Sequence, residues 1–342
     1  MSDVLNSKQH LINIDFLRIV LIMLMVFYHS FCFYSGAWEI PAGAKPIYFY
    51  SVLSNLSYSF FLETFVFISG LLYGVSAARR VGKLKLSIVL MKKVKRLMLP
   101  SIIFSSLYFL CFKDYTSLAA TFYAILLGCG HLWFLPTLFG CFIFIMVIEK
   151  YQVKDKIILS LYPLLIVFSI PDMPLHLSKI CYYFCFFYLG YRMMVYKKVY
   201  SCNMKFLLLL FVVTFSIDIL PLPIGDWNLN GYLRIFSRLF ELILRICYST
   251  CGLLLSMKIC SLITQNDKIL SMKANLSKIA SYGMGVYIVQ QFVLMWLYYH
   301  TEYCLLVNDY FIPWIAFVFT ICVSLIVVFI ARKSQLGRFL LG

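Results

Sequence analysis

Apolar residues run in long blocks along this chain. The stretches 102–111, 141–148, 206–216 and 315–330 are broken by few charges, and several extend towards the ~20 residues that one bilayer crossing needs. Reading the blocks from end to end predicts spans at 13–35, 57–76, 97–112, 132–148, 157–170, 179–196, 206–222, 236–257, 279–299 and 311–331. The expected fold is an all-α polytopic membrane protein with about ten transmembrane helices. One further block, 115–129, is apolar but short and ends in Gly128, Cys129 and Gly130. The longest connections are 36–56, 77–96 and 258–278, and neither an internal repeat nor a soluble domain is evident. A single membrane-embedded domain over 1–342 is therefore expected, with its chemistry at membrane depth or at the two surfaces.

Composition narrows the class. Of 342 residues, 63% are hydrophobic and 13% charged, with a mean hydropathy of +0.89. A soluble chain has about a quarter of its residues charged and roughly half apolar, so a water-soluble globule is excluded, as are disorder, collagen and coiled coil. The first block follows a polar start, carries Asp15 and Arg18 and lacks a small-residue cleavage site, so it reads as the first span rather than a signal peptide. Most of the 12 cysteines lie inside apolar blocks, no CxxC occurs, and Cys181/Cys185 and Cys247/Cys251 are one helical turn apart. Packing thiols are expected, with no metal site.

The net charge of +16 raises the question of a nucleic-acid partner, but the cations sit between apolar spans, and no nucleic acid is expected. With ten spans and a cytoplasmic N-terminus, 23 of the 30 Lys and Arg fall in inside segments, the block from Arg79 to Arg96 holding eight. Only Lys45, Lys113, Lys179, Arg234 and Arg238 fall outside, while Arg18 and Arg245 lie in the membrane. Counting 115–129 as a span would put the later cationic loops on the wrong side, so the positive-inside rule makes it a non-spanning element at the outer face. Both termini are then cytoplasmic.

Ionisable residues inside a bilayer are functional candidates by default. In the first span Arg18 and His29 are eleven residues apart; at 100° per residue they share one face, about 16 Å apart along the axis. That places a permanent cation where an anionic cytoplasmic ligand docks and an imidazole in the outer third. The structural alternative is an Asp15–Arg18 pair at the interface and a histidine hydrogen-bonded in the bundle. Glu63, ahead of Ser69 and Gly70 in the second span, needs a partner or a proton, and either orients His29 or Arg18 or lies beside a close helix crossing. Lys92, Lys93, Lys95 and Arg96 run into the third span ahead of Pro100, where they either set topology and meet membrane lipid or dock a phosphorylated donor. At the outer face, Trp133 beside His131 either stacks on a sugar or anchors the helix at the interface. Arg234, Arg238, Glu241 and Arg245, spaced 4, 3 and 4, stripe one side of the eighth span as an ion-pair ladder or an anionic-substrate groove.

These residues together carry a family resemblance. Arg18 and His29 with ten residues between, Glu63 leading Phe65, Val66, Phe67, Ser69 and Gly70, the basic run ending in Pro100, and Gly130, His131, Trp133 and Leu135 occur in that order. The chain resembles the acyltransferase family 3 membrane proteins over about its first 140 residues. Val66 departs from the family's second Phe by an apolar swap. Further on, the likeness thins to Phe187–Tyr191 and Ser281–Tyr287, and Gln290 stands where members often have histidine. The resemblance implies about ten helices and transfer of an acyl group, usually acetyl, from cytoplasmic acyl-CoA to a hydroxyl of a glycan or glycolipid at the outer face of a cell membrane, a bacterial inner membrane being expected. His29 is then general base or acyl carrier, with Arg18 and Glu63 beside it in the catalytic set. Arg18, Lys92, Lys93, Lys95 and Arg96 bind acetyl-CoA or another acyl-CoA, and His131, Trp133, Arg238, Glu241 and Arg245 face the acceptor. A carrier or exporter of glycans or lipids is the alternative that ten helices with buried charge also describe, but half-symmetry and broken helices are not found in the sequence.

Overall fold

The computed structural model describes residues 2–78, 86–115, 117–196, 203–220 and 231–341, and every regular element among them is helical. Arg79, Arg80, Lys83 and Lys85 of the basic block, the connections 197–202 and 221–230, and the side chain of Arg234 lie outside the described residues. The first helices are α1 (Ser2–Ser30), α2 (Tyr48–Tyr58) and α3 (Phe61–Ala78). Then come α4 (Leu86–Lys93), α5 (Leu99–Phe112), α6 (Leu118–Leu127) and α7 (Phe134–Lys150). Two short helices, α8 (Asp155–Ser160) and α9 (Tyr162–Phe168), lead into α10 (Leu177–Tyr196), α11 (Met204–Ile219) and α12 (Gly231–Ile263). The chain ends with α13 (Asp267–Ser271), α14 (Lys273–Tyr299), α15 (Tyr303–Leu306), α16 (Ile312–Ala331) and α17 (Gln335–Leu341).

Seven segments are long and apolar enough to cross a membrane: Asn13–Ser30, Tyr48–Ala78, Leu86–Phe112, Gly130–Lys150, Phe236–Ile263, Lys273–Tyr299 and Ile312–Ala331. Three of the ten expected spans fall outside that set. The block 157–170 is not one helix but α8 and α9, broken at Leu161, because Pro163 has no N–H for the helical ladder. Helix α11 is 16 residues long, and α10 is long enough but less apolar than the seven, with Lys179, Arg192 and several tyrosines along it. The short block at 115–129 behaves as its length dictates: α6 has ten residues, a rise of about 15 Å against an apolar core of about 30 Å. Ser117 caps it, its hydroxyl accepting from the Ala120 N–H at 3.2 Å.

Pro100 leaves a larger mark. Proline cannot donate to the carbonyl four residues back, and the chain widens into a π turn at Val94–Met98, where the Leu99 N–H reaches back five residues to Val94. The turn carries Lys95 and Arg96 of the basic cluster.

The chain divides into two compact units, residues 1–62 with 201–342 and residues 63–200. In the first, α1 packs along α14 and α16. Their shared core is aromatic, built on Phe31, Phe33, Tyr50 and Tyr298. Phenols cap backbone there, Tyr298 donating to the Ser30 carbonyl at 2.6 Å and Tyr50 to that of Tyr310 at 2.7 Å. A second core joins α11 to α12 through Phe211, Phe215, Tyr248 and Leu255. The Ser249 hydroxyl fixes α12 to the α2–α3 junction, donating to the Ser59 carbonyl at 2.6 Å. On the other side of α16, Val318, Ile326, Phe329 and Ile330 stay exposed, an apolar surface suited to lipid.

In the second unit α3 and α10 meet backbone to backbone. A Cβ at Gly70 would overlap the Phe187 carbonyl, and one at Gly190 the Phe67 carbonyl. Small residues at a crossing let helices approach this closely. Gly70→Val is accordingly expected to cost about 1–3 kcal/mol or more, seen as a lower thermal midpoint of detergent-solubilised protein. Gly283→Ala in α14 faces only the flexible end of Ile22 and is expected to cost less; equal midpoints for the two variants would contradict the backbone-contact reading.

Candidate active site

The first span does what its spacing predicts: Asn13 to Ser30 is one continuous helix, so Arg18 and His29 share a face. Its two ends are tied down. At the start, the Asn13 amide donates to the Ser261 hydroxyl at 3.4 Å and also pairs with the Thr264 hydroxyl, both beside the end of α12. At the finish, Ser30 donates to the Val26 carbonyl at 2.9 Å while its own carbonyl takes the Tyr298 phenol.

Arg18 and Asp15 form the interfacial pair, 3.4 Å apart, with side chains 30% and 25% exposed. At that exposure the pair is worth well under 1 kcal/mol, so the guanidinium can exchange Asp15 for a stronger anion. His29 is 8% exposed. Its Nδ1 lies 2.9 Å from the Met25 carbonyl, and that oxygen can only accept, so Nδ1 carries the proton and donates. In the neutral ring Nε2 then holds the lone pair. The Nε2 of the fully buried Gln290 amide lies 3.3 Å from the same Nδ1; since Nδ1 carries the proton, turning the amide end for end puts its oxygen there to accept. Gln290 stands at the position where the family resemblance expects histidine; the structure puts it against the histidine of the first span. The His29 ring is flanked by Tyr28, centroids 5.0 Å apart, and Trp38, 5.9 Å apart.

The stripe on α12 separates in the structure. Arg238 and Glu241 are exposed, whereas Arg245 reaches over the Tyr58 ring, 5.6 Å from its centroid, into a cavity that also holds Asp218. Arg245 thus shares its cavity with a carboxylate, while Arg238 and Glu241 lie on the exposed part of the stripe.

The remaining candidates lie in the second unit. Glu63 is fully buried, and the Tyr182 phenol donates to its carboxylate at 3.0 Å. Lys92, Lys95 and Arg96 are exposed, while Lys93 lies over the Phe142 ring at 3.7 Å. His131 is buried in a single 3-10 turn, Gly130–Trp133, entered through Gly128 and Gly130 at φ 91° and 56°. Gly130 is obligatory for a second reason: a Cβ there would strike the Tyr108 ring. Trp133 carries the Lys179 ammonium 4.1 Å over its ring and has the His176 ring beside it, centroids 6.2 Å apart. The His176 Nε2–H donates to the Leu127 carbonyl at 3.0 Å, closing α6 onto this group; burial lowers the pKa of that imidazole and Lys179 adds to the effect.

This arrangement can be compared with known proteins. The family model for the acyltransferase domain of family 3 matches residues 11–333, nearly all of the chain. The chain belongs to acyltransferase family 3. No curated protein and no solved structure matches it. As a membrane acyltransferase of that family, it carries the Arg18 and His29 pair on one helix and holds groups that the sequence reading did not single out: Tyr182, Trp38 and the Asp218 carboxylate. Gln290 was singled out as the motif's variant position, without its contact to His29.

Gln290→Leu removes the amide from His29 while leaving the Met25 carbonyl in place. One hydrogen bond is worth about 1 kcal/mol, so acyl transfer is expected to fall roughly fivefold. The pH profile is expected to move as well, and Gln290→Glu, which keeps an acceptor against Nδ1–H, is expected to recover most of the rate. Unchanged transfer and profile in Gln290→Leu would show that the contact does not matter to His29.

Proposed function

We propose that this chain is an integral-membrane O-acyltransferase, moving an acyl group, acetyl in the first instance, from acyl-CoA on the cytoplasmic side to a hydroxyl of a cell-surface glycan or lipid-linked saccharide at the outer face. The observation that carries the reading is His29: a buried imidazole whose Nδ1 proton is held by Met25, leaving the basic lone pair on Nε2. In the reaction Nε2 takes the proton of the acceptor hydroxyl as its oxygen attacks the thioester carbonyl. The carbon–sulfur bond breaks, the imidazolium returns the proton to the thiolate, and an ester and free CoA result. An acyl-histidine route would use the same Nε2 as nucleophile.

The donor's length fits α1. Eleven residues put Arg18 about 16 Å from His29, a reach suited to the pantetheine arm with its phosphates at Arg18 and its thioester at His29; the exposed Lys92, Lys95 and Arg96 are the further anion-binding candidates of the reading. On the acceptor side, the Trp133 face with His131 and Lys179 offers stacking and polar contact to a sugar. Glu63 serves as a positioning residue, held by Tyr182. The topology that goes with this reading has both termini cytoplasmic and ten crossings, the seven long segments together with α10, α11 and the α8–α9 pair.

Two measurements test it. His29→Ala is expected to lower transfer by about 10²- to 10⁴-fold while binding a non-hydrolysable acyl-CoA analogue as tightly as wild type. Arg18→Lys keeps the charge but loses the planar fork that grips phosphate, so calorimetry is expected to show weaker analogue binding. Full transfer by His29→Ala removes the mechanism; normal binding by Arg18→Lys with lost binding by His29→Ala reverses the donor's direction. Cysteine labelling in a thiol-free background is expected to place 197–205 and 258–278 inside and 300–310 outside, and labelling of 197–205 from outside would overturn the ten-span topology.

A further inference from the structure

Between α2, α11 and α12, within the first unit, lies a cavity of about 260 Å³. Its walls are unlike the apolar cores beside it. Ser51, Asn55, Tyr58, Asp218, Arg245 and Tyr248 all face it. The Asp218 carboxylate takes the Tyr248 phenol at 3.1 Å, one bond for a group that can accept about four. Arg245 brings a fork of donors, Asn55 and Ser51 bring both donors and acceptors, and the tyrosine rings bring flat apolar faces.

Each class of small ligand can be held against this lining. An acyl chain would desolvate the carboxylate and the guanidinium and offer neither a hydrogen bond in return. A phosphate or carboxylate would meet Arg245 but also Asp218, and like charge disfavours it. A neutral polyhydroxylated ring suits all of the groups at once: vicinal hydroxyls donate to Asp218 and accept from Arg245, the amide of Asn55 serves either way, and the ring's C–H face lies on a tyrosine. The volume is a little under the ~300 Å³ at the low end of small-molecule sites, so one ring fits and an extended chain does not.

The position of the cavity says which ring. Tyr58, one of its walls, stacks on Tyr28 with centroids 4.6 Å apart, and Tyr28 adjoins His29 in sequence and in space. The cavity is thus separated from His29 by a pair of stacked phenol rings. We infer that it is a saccharide subsite, holding the sugar unit next to the one whose hydroxyl is acylated; the inference rests on the acyltransferase reading for its second half and on the cavity alone for its first.

Saturation-transfer NMR on the purified full chain in nanodiscs, with methyl hexosides and methyl N-acetylhexosaminides as probes and methyl phosphate and octanoate as controls, tests the first half without turnover. At least one glycoside is expected to show saturable binding that weakens tenfold or more in Asn55→Leu and in Asp218→Leu and persists in His29→Ala. Asn55 is exposed, so Asn55→Leu decides the matter even where Asp218→Leu fails to fold. No saturable glycoside binding, binding unchanged in Asn55→Leu, or preferential binding of phosphate or octanoate would each overturn the proposal. The second half is read from kinetics: Asn55→Leu is expected to raise KM about tenfold for disaccharide acceptors with kcat kept, and to leave KM for monosaccharide acceptors unchanged. Equal effects on both acceptors would remove the neighbouring-unit assignment. Glycoside binding by a protein that transfers no acyl group would leave the saccharide site standing and remove the transferase reading instead.

Discussion

A polar side chain taken out of water must be hydrogen-bonded, and in this protein that requirement falls hardest on a single helix. Helix α1 carries Asn13, Asp15, Arg18, His29 and Ser30, and each of them is met: Asn13 by Ser261 and Thr264, Arg18 by Asp15, His29 by Met25 and Gln290, Ser30 by Val26 and Tyr298. The partners come from α12 and α14 as well as from α1 itself. Satisfying the polar groups therefore also fixes the helix at its two ends. Rotation of α1 about its axis, which would take the imidazole off its face, would break bonds at both ends at once.

That rigidity has a chemical use. A general base works only when the ring is turned the right way and carries its proton on the right nitrogen. Met25 decides the tautomer through the helix's own backbone, four residues back, which no packing change nearby can easily disturb. Gln290 then limits the ring's rotation from the opposite helix. Neither of these two groups is acidic, and both bear on the ring from the helices of the first unit.

Much of this was legible in the chain. The face shared by Arg18 and His29 follows from helix period alone, and the short rise of 118–127 follows from counting. The break at Leu161 was hidden because an apolar block of fourteen residues reads the same whether or not Pro163 interrupts its hydrogen bonds. Gln290 was marked by the motif that runs to Tyr287, but its partner was hidden: it lies 261 residues away, and nothing local marks a buried amide as belonging to a distant imidazole. Asp218 and Asn55 likewise stand as isolated polar residues in apolar surroundings, and only packing brings them to one cavity with Arg245. Periodicity along the α12 stripe gave each residue's side of the helix, not what waits opposite it.

The wide turn at Val94–Met98 has a consequence of its own. A π turn is an α-helix with one residue too many, so the side chains before it are rotated by about 100° relative to where an unbroken helix would put them. Lys92 and Lys93 therefore owe their azimuth to a single surplus residue ahead of Pro100. Shortening the segment by one position would swing Lys92 and Lys93 round the axis together, with no change in their chemistry and every change in what they face.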